Sequence, residues 1–233
     1  MLYSELQCSD AIHKAVERMG FAEMTEIQEK TIPLMLAGHD VIAKAPTGTG
    51  KTCAFGIPVA EHIDPEKKYP QAVIMAPTRE LAQQIAEELT ELTYFMPEVQ
   101  VACVYGGANM EKQAKRLAEG CQIVVATPGR LMDHYKHHSI DISHVTQIVL
   151  DEADEMLNMG FYKDVRHIIE MMKARKSLSM FSATISREVM DIGWLYQHNA
   201  EEITVQPKEE SQKAQQTPPI GDKKPAKPSV RTG

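Results

Sequence analysis

The sequence predicts an α/β fold, a mostly parallel sheet of about seven strands with helices on both faces. Three observations carry that expectation. Short β-rich runs recur between residues 40 and 205, and helical patterns alternate with them. Several of the runs are apolar almost throughout, as in Ala72-Val73-Ile74-Met75-Ala76, Ile123-Val124-Val125-Ala126 and Ile148-Val149-Leu150. Strands buried on both faces read this way, and strand–helix alternation places them in a parallel sheet between helical layers.

The strands are expected at 40–45, 71–76, 99–105, 122–126, 147–151, 178–182 and 202–205. Helical patterns fall at 9–18 and 25–37, before the first strand, and then at 51–63, 79–95, 111–118, 129–137, 162–172 and 187–196. The pattern at 79–95 is the plainest, with Leu81, Ile85, Leu89 and Leu92 on one face. In an open parallel sheet, ligands bind beyond the carboxyl ends of the strands. The informative residues should therefore sit just after strands.

The chain has 233 residues, of which 43% are hydrophobic and 24% charged, ordinary values for a globular protein. Residues 1–205 are expected to form one domain, and residues 206–233 a disordered tail. That tail holds five of the 13 prolines, no aromatic residue, and only Ile220 and Val230 as large aliphatics. It carries six basic and three acidic residues, so the first 205 hold 19 basic against 29 acidic, net −10. Such acidity argues against a generic basic nucleic-acid coat but allows a restricted binding site. No run of 18 apolar residues is present and the first ten residues lack a secretory pattern, so no membrane span or signal is expected. The four cysteines, Cys8, Cys53, Cys103 and Cys121, form no CxxC pair and read as reduced thiols of a cytoplasmic protein.

Directly after the first strand comes Ala45-Pro46-Thr47-Gly48-Thr49-Gly50-Lys51-Thr52, which matches GxxxxGK[ST] apart from its first position. Gly48 and Gly50 let the backbone form a nest of N–H groups around phosphate, and the helix that follows adds its positive end. Lys51 reaches the terminal phosphates and the Thr52 hydroxyl ligates Mg²⁺. Thr47 and Thr49 complete the loop. A second strand, Gln147 to Leu150, delivers Asp151 and Glu152. Asp151 is placed to hold Mg²⁺ through water, and Glu152 to take a proton from an attacking water. Lys51, Asp151 and Glu152 are the expected catalytic set, and the ligand class is a nucleoside triphosphate.

Asp151-Glu152-Ala153-Asp154 spells DEAD, and residues 3–205 resemble the N-terminal RecA-like domain of a DEAD-box ATP-dependent RNA helicase. Gly20-Phe21, Thr25, Ile27 and Gln28 are similar to the family's Q motif, with Tyr3 at the place of its upstream aromatic and Met24 where the family usually has proline. The resemblance implies that Gln28, with Tyr3 and Phe21, binds adenine, and hence that ATP is preferred over GTP. Pro77-Thr78-Arg79, Gly106-Gly107 and Thr127-Pro128-Gly129-Arg130 resemble motif Ia, the GG pair and motif Ib, which implies contacts to the RNA backbone with little sequence preference. Ser182-Ala183-Thr184 resembles motif III, which implies hydrogen bonds to Asp154 that couple the two sites. The alternative for that turn is a helix cap before residue 187.

The resemblance also implies a second RecA-like domain that supplies an arginine finger. The only Gly-Arg pair here is Gly129-Arg130, and 49 residues follow Thr184. This chain is therefore expected to bind ATP, Mg²⁺ and RNA as a monomer, hydrolyse slowly and not unwind by itself. A stand-alone regulatory binding module and a DNA-directed NTPase are the competing readings. His134, His137 and His138 look like an exposed helix end rather than a metal site. Trp194 is expected in packing rather than base stacking, Cys53 is not assigned a reactive role, and residues 156–161 read as packing with a helix stop at Gly160.

Overall fold

The structure is a computed structural model that describes residues 1–207. The strands are β1 (Val41–Lys44), β2 (Ala72–Met75), β3 (Val101–Val104), β4 (Ile123–Ala126), β5 (Gln147–Leu150), β6 (Ser177–Ser182) and β7 (Glu201–Thr204). They form a single sheet in the order β3-β4-β2-β5-β6-β1-β7, and every pairing is parallel. The helices are α1 (Asp10–Arg18), α2 (Glu26–Leu36), α3 (Lys51–Glu61), α4 (Arg79–Leu92), α5 (Met110–Ala118), α6 (Pro128–Lys136), α7 (Ala153–Asn158), α8 (Tyr162–Met171) and α9 (Arg187–Tyr196). A single 3₁₀ turn, Tyr3–Glu5, precedes them.

Side-chain alternation along the strands divides the core into two layers. Val41, Ala43, Ile74, Val125, Val149 and Phe181 face α1–α4, where they meet Ile12, Ile27, Phe55 and Ile85. Ile42, Val73, Val124, Ile148, Leu150 and Met180 face α5–α9, where they meet Leu117, Leu131, Met156, Ile168 and Ile192. The apolar runs of β2, β4 and β5 are buried at every position, as a doubly covered sheet requires. On the first face α3 and α4 approach closely at Gly56, where an added Cβ would lie 2.8 Å from Leu92 Cδ1. The buried Asp40 ties three segments together at the amino ends of the strands. Its carboxylate accepts from Leu178 N at 2.9 Å and from His198 N at 2.7 Å.

The seven strands and eight helices expected from the sequence are all present, with strands trimmed by a residue or two at several ends. For α7 the sequence predicts only a helix stop at Gly160 and no start; the helix ends at Asn158. The helix is only six residues long, too short for a periodic pattern. Helix α4 stops at Leu92, and Tyr94 and Phe95 lie beyond it, both exposed. Trp194 is 76% exposed, so it belongs to no core layer. His134 is fully buried rather than part of an exposed helix end, while His137 and His138 are exposed. Cys53 and Cys121 are buried and Cys8 and Cys103 half-buried; burial pushes the Cys53 and Cys103 thiols up to about 12. Of the expected tail, Gln206 and Pro207 continue from β7, and the rest lies outside the described residues.

Phe55 of α3 and Phe181 of β6 meet edge to face, ring centres 5.3 Å apart, beneath the loops that follow β1 and β6. Both are fully buried. Phe181→Ala should cost about 3–5 kcal/mol of unfolding free energy in a urea titration, because the two layers cannot both collapse into the space.

Candidate functional site

The loop after β1 enters α3 through two glycines in the left-handed region, Gly48 at φ +81° and Gly50 at φ +82°. A Cβ at Gly50 would meet Gln28 Nε2 at 2.5 Å, so this position needs glycine for space as well as for backbone angle. Thr49 Oγ1 donates to Pro46 O at 2.7 Å and closes the loop on itself. Lys51 is the first residue of α3, and its ammonium turns back over the helix start. It donates to Glu152 Oε1 at 2.8 Å and lies 3.5 Å from Asp151 Oδ1. Thr47 Oγ1 reaches the same Glu152 oxygen at 3.3 Å. The ammonium and both carboxylates are at least largely buried, which strengthens their mutual attraction.

Strand β5 ends in Asp151, whose N–H donates to Met75 O of β2 at 2.9 Å, so the carboxylate is fixed by the sheet ladder. Burial pushes the Asp151 carboxyl up to about 6; the Lys51 ammonium opposes that rise and the Glu152 charge adds to it. Glu152 itself sits at φ +51°, a left-handed conformation unusual for a residue with a side chain, and caps α7. The donor set suits a phosphate chain with a hard divalent cation: glycine N–H groups, one ammonium, a threonine hydroxyl and a buried carboxylate converge on one loop. Thr52 occupies the second position of α3. Glu88 of α4 stands close to it; burial raises this carboxyl, and hydrogen bonding from Gln84 and Thr52 counters part of the rise.

A cleft of about 560 Å³ opens beside the phosphate loop. Met24, Thr25, Ile27, residues 46–49 and the segment 205–207 line it. Gln28 is next to this cleft in sequence but is only 4% exposed, and Tyr3 only 5%; Phe21 is 45% exposed. Tyr3 and Gln28 are hydrogen-bonded to each other rather than presented to the cleft.

Asp154 lies on the far side of the β5 turn. Ser182 Oγ accepts from Asp154 N at 3.0 Å, and Asp154 Oδ2 accepts from Thr184 N at 3.1 Å and from Thr184 Oγ1 at 2.7 Å. Burial would raise the Asp154 carboxyl, but these hydrogen bonds outweigh it and hold the group below the usual carboxylate range. The Ser182-Ala183-Thr184 turn therefore joins the end of β6 to the Asp151–Asp154 segment. It does not cap the next helix. Ser186, immediately before Arg187, does that, its Oγ accepting from Val189 N at 3.3 Å.

The remaining expected contacts follow β2, β3 and β4, the three neighbouring strands on the other half of the sheet. Arg79, Gly106 and Gly107 are exposed; Thr78, Gly129 and Arg130 are half-buried; Pro77, Thr127 and Pro128 are buried. Thr78 caps α4, its Oγ1 accepting from Leu81 N at 3.3 Å, whereas the Thr127 hydroxyl makes no cap bond at the start of α6. The two arginines differ. Arg79 stacks over the Tyr105 ring at 4.8 Å with its guanidinium exposed to the outer edge. Arg130 donates to Ala108 O at 2.9 Å and to Gln113 Oε1 at 3.1 Å, bracing the Gly106–Gly107 loop. His134 shares that brace through Nε2 and Gln113 Oε1, 3.1 Å apart. Tyr105, Gln113 and His134 have no local signature in the sequence; only the fold brings them together.

Comparison with known proteins agrees with this geometry. A family profile described as DEAD/DEAH box helicase matches residues 25–192. The chain is 47% identical over 209 residues to the ATP-dependent RNA helicase CshA of Limosilactobacillus reuteri, covering 90% of this chain and 42% of that protein. It is 48% identical to CshA of Listeria monocytogenes, covering 89% and 40%. The chain thus spans about two fifths of the length of these curated relatives. Among solved structures, a DEAD box protein from the hyperthermophile Methanococcus jannaschii superposes with a TM-score of 0.82 at 39% identity, covering 88% of this chain and 56% of that one. A hypothetical ATP-dependent RNA helicase from Sulfolobus tokodaii gives 0.78 at 40%, covering 84% and 57%. With the matched residues running from the helix before β1 to the helix after β6, the chain belongs to the DEAD/DEAH box helicase family.

Proposed function

We propose that this chain is the ATP-binding RecA-like domain, residues 1–205, of a DEAD-box RNA helicase. It binds ATP with Mg²⁺ at the β1, β5 and β6 loops and the RNA backbone at the β2, β3 and β4 loops. The observation that carries the reading is the Lys51–Asp151–Glu152 cluster at a glycine-loop helix start, bonded onward through Asp154 to Ser182 and Thr184. Relatives named as RNA helicases of greater length support assigning full hydrolysis and unwinding to a protein with a second RecA-like domain. Among the described residues no helix is long and apolar enough to cross a membrane.

Each group has a definable task. The glycine loop and the start of α3 hold the phosphates by backbone N–H groups, and Lys51 transfers its charge from the two carboxylates to the terminal phosphates. Thr52 and, through water, Asp151 would hold Mg²⁺, which when bound offsets phosphate charge during transfer. Freed of Lys51, Glu152 becomes the proton acceptor for the attacking water. Asp154 reports the state of this turn to Ser182 and Thr184. Arg79 and the Gly106-Gly107 backbone meet phosphodiester oxygens, while Pro77, Thr78, Thr127, Pro128, Gly129 and Arg130 shape the two loops that present them.

Three measurements bear on this assignment. Lys51→Ala should weaken ADP and ATP binding by at least about tenfold in calorimetry, since a charge-assisted bond contributes about 1.5–3 kcal/mol. Equal affinities in mutant and wild type would sink the nucleotide site. Mg²⁺-dependent nucleotide binding should be nearly full above about pH 7, fall by about half near pH 6 and decline further below it. The raised Asp151 carboxyl takes up a proton there and loses the charge the cation needs. Titrating affinity between pH 5 and 8 tests the sign; the decline should approach ~10-fold per pH unit. Finally, Arg79→Ala should lower single-stranded RNA affinity and reduce the salt slope by about 0.7, the loss of one phosphate contact, with the melting temperature unchanged. Arg130→Ala should instead lower the melting temperature, because its guanidinium is spent within the protein.

A further inference from the structure

We infer that the Tyr3 hydroxyl competes with the adenine amino group for Gln28, and so sets how strongly the site distinguishes adenine from guanine nucleotides. The inference rests on the proposed ATP site and concerns the hydrogen-bonding capacity of one carboxamide.

The orientation of the Gln28 amide follows from its two backbone neighbours. Thr25 N–H can only donate, so the atom 2.9 Å from it is Oε1. Gly50 O can only accept, so the atom 3.1 Å from it is Nε2. The Tyr3 hydroxyl, 2.5 Å from Oε1, must then be a donor. Burial keeps that hydroxyl in its neutral, proton-carrying form, with Cys53 adding to the effect. Both lone pairs of Oε1 are therefore filled. Nε2 retains one hydrogen.

This saturation has a consequence for base reading. Adenine offers an amino donor and the N7 acceptor on the edge in question; guanine offers two acceptors there, O6 and N7. A carboxamide whose oxygen is occupied can donate to N7 of either base and distinguishes neither. Discrimination requires an open lone pair on Oε1. Thr25 N–H belongs to the start of α2 and cannot withdraw without unwinding it. The Tyr3 hydroxyl is the partner that can give way.

Tyr3 is held where it can act in this manner. Its N–H donates to Ala22 O at 3.0 Å, its carbonyl accepts from Leu6 N at 3.0 Å, and its ring lies along Phe21 with centres 6.4 Å apart. Removing the oxygen alone leaves these contacts intact.

The test compares Mg·ADP and Mg·GDP binding by calorimetry to the 233-residue chain and to Tyr3→Phe, Gln28→Ala and the double variant. Tyr3→Phe should bind ADP about five- to tenfold more tightly, the equivalent of one hydrogen bond no longer broken on binding, with GDP affinity unchanged within twofold. The gain should vanish when Gln28 is also replaced. Unchanged or weaker ADP binding in Tyr3→Phe, an equal gain for GDP, or a gain that persists in the double variant would each overturn the inference. If Gln28→Ala retains the ADP preference, Gln28 does not read the base and both statements fall. A Tyr3→Leu variant, read the same way, covers the case of a Tyr3→Phe chain that melts early.

Discussion

The structure turns on a buried ammonium held between two carboxylates. Lys51 lies about a hundred residues before the adjacent Asp151 and Glu152 in sequence, and each alone would be costly to remove from water. Together they leave one net negative charge, which a phosphate loop cannot keep when its anionic ligand arrives. On the proposed reading, Lys51 exchanges partners there and Glu152 is released as it does. The parallel sheet exists, in this sense, to bring the ends of β1 and β5 to the same edge with β6 between them. The close approach of Gly50 to Gln28 and the edge contact of Phe55 with Phe181 keep that edge from relaxing.

The strand order gives the edge two halves. Loops after β1, β5 and β6 carry the Lys51, Asp151, Glu152 and Thr184 side chains, and loops after β3, β4 and β2 carry the exposed glycines and Arg79. Strand β5 is the boundary: it pairs with β2 on one side and β6 on the other. Asp154, one turn past its end, already accepts two hydrogen bonds from Thr184. Glu152 is thus joined to the β6 turn through a few backbone bonds and the Asp154 carboxylate. Under the proposed assignment, the acidic balance of the chain is no obstacle to gripping a polyanion on such a surface, because backbone N–H groups and the exposed Arg79 act locally.

Much of this was legible before any coordinates. Continuous apolar runs such as Ile123-Val124-Val125-Ala126 can only be doubly covered strands, and the Gly48-Thr49-Gly50-Lys51-Thr52 turn has few other uses. What escaped was tertiary. Helix α7 is too short to show a period. The cap of α9 is Ser186 rather than the hydroxyls of Ser182 or Thr184, because those two are drawn to Asp154 by a neighbouring strand. His134 reads as part of a polar, histidine-rich stretch, yet it turns inward to meet Gln113 of another helix. The resemblance assigns Tyr3 and Gln28 to adenine, and the structure adds a bond between them. That bond depends on the Tyr3–Glu5 turn closing over α2, a contact between segments 25 residues apart that no local pattern encodes.

Glu152 holds a left-handed backbone angle that an ordinary residue occupies at a cost of about 1 kcal/mol or more. Glycine would relieve that strain, but glycine has no carboxylate. On the proposed reading, position 152 is a place where the backbone and the reaction ask for different amino acids. The fold carries this tension permanently at its chemical centre, balanced by the Lys51 contact in the resting state. On that same reading, nucleotide binding removes that contact when the carboxylate is needed, so conformational stress and chemical readiness meet at one residue.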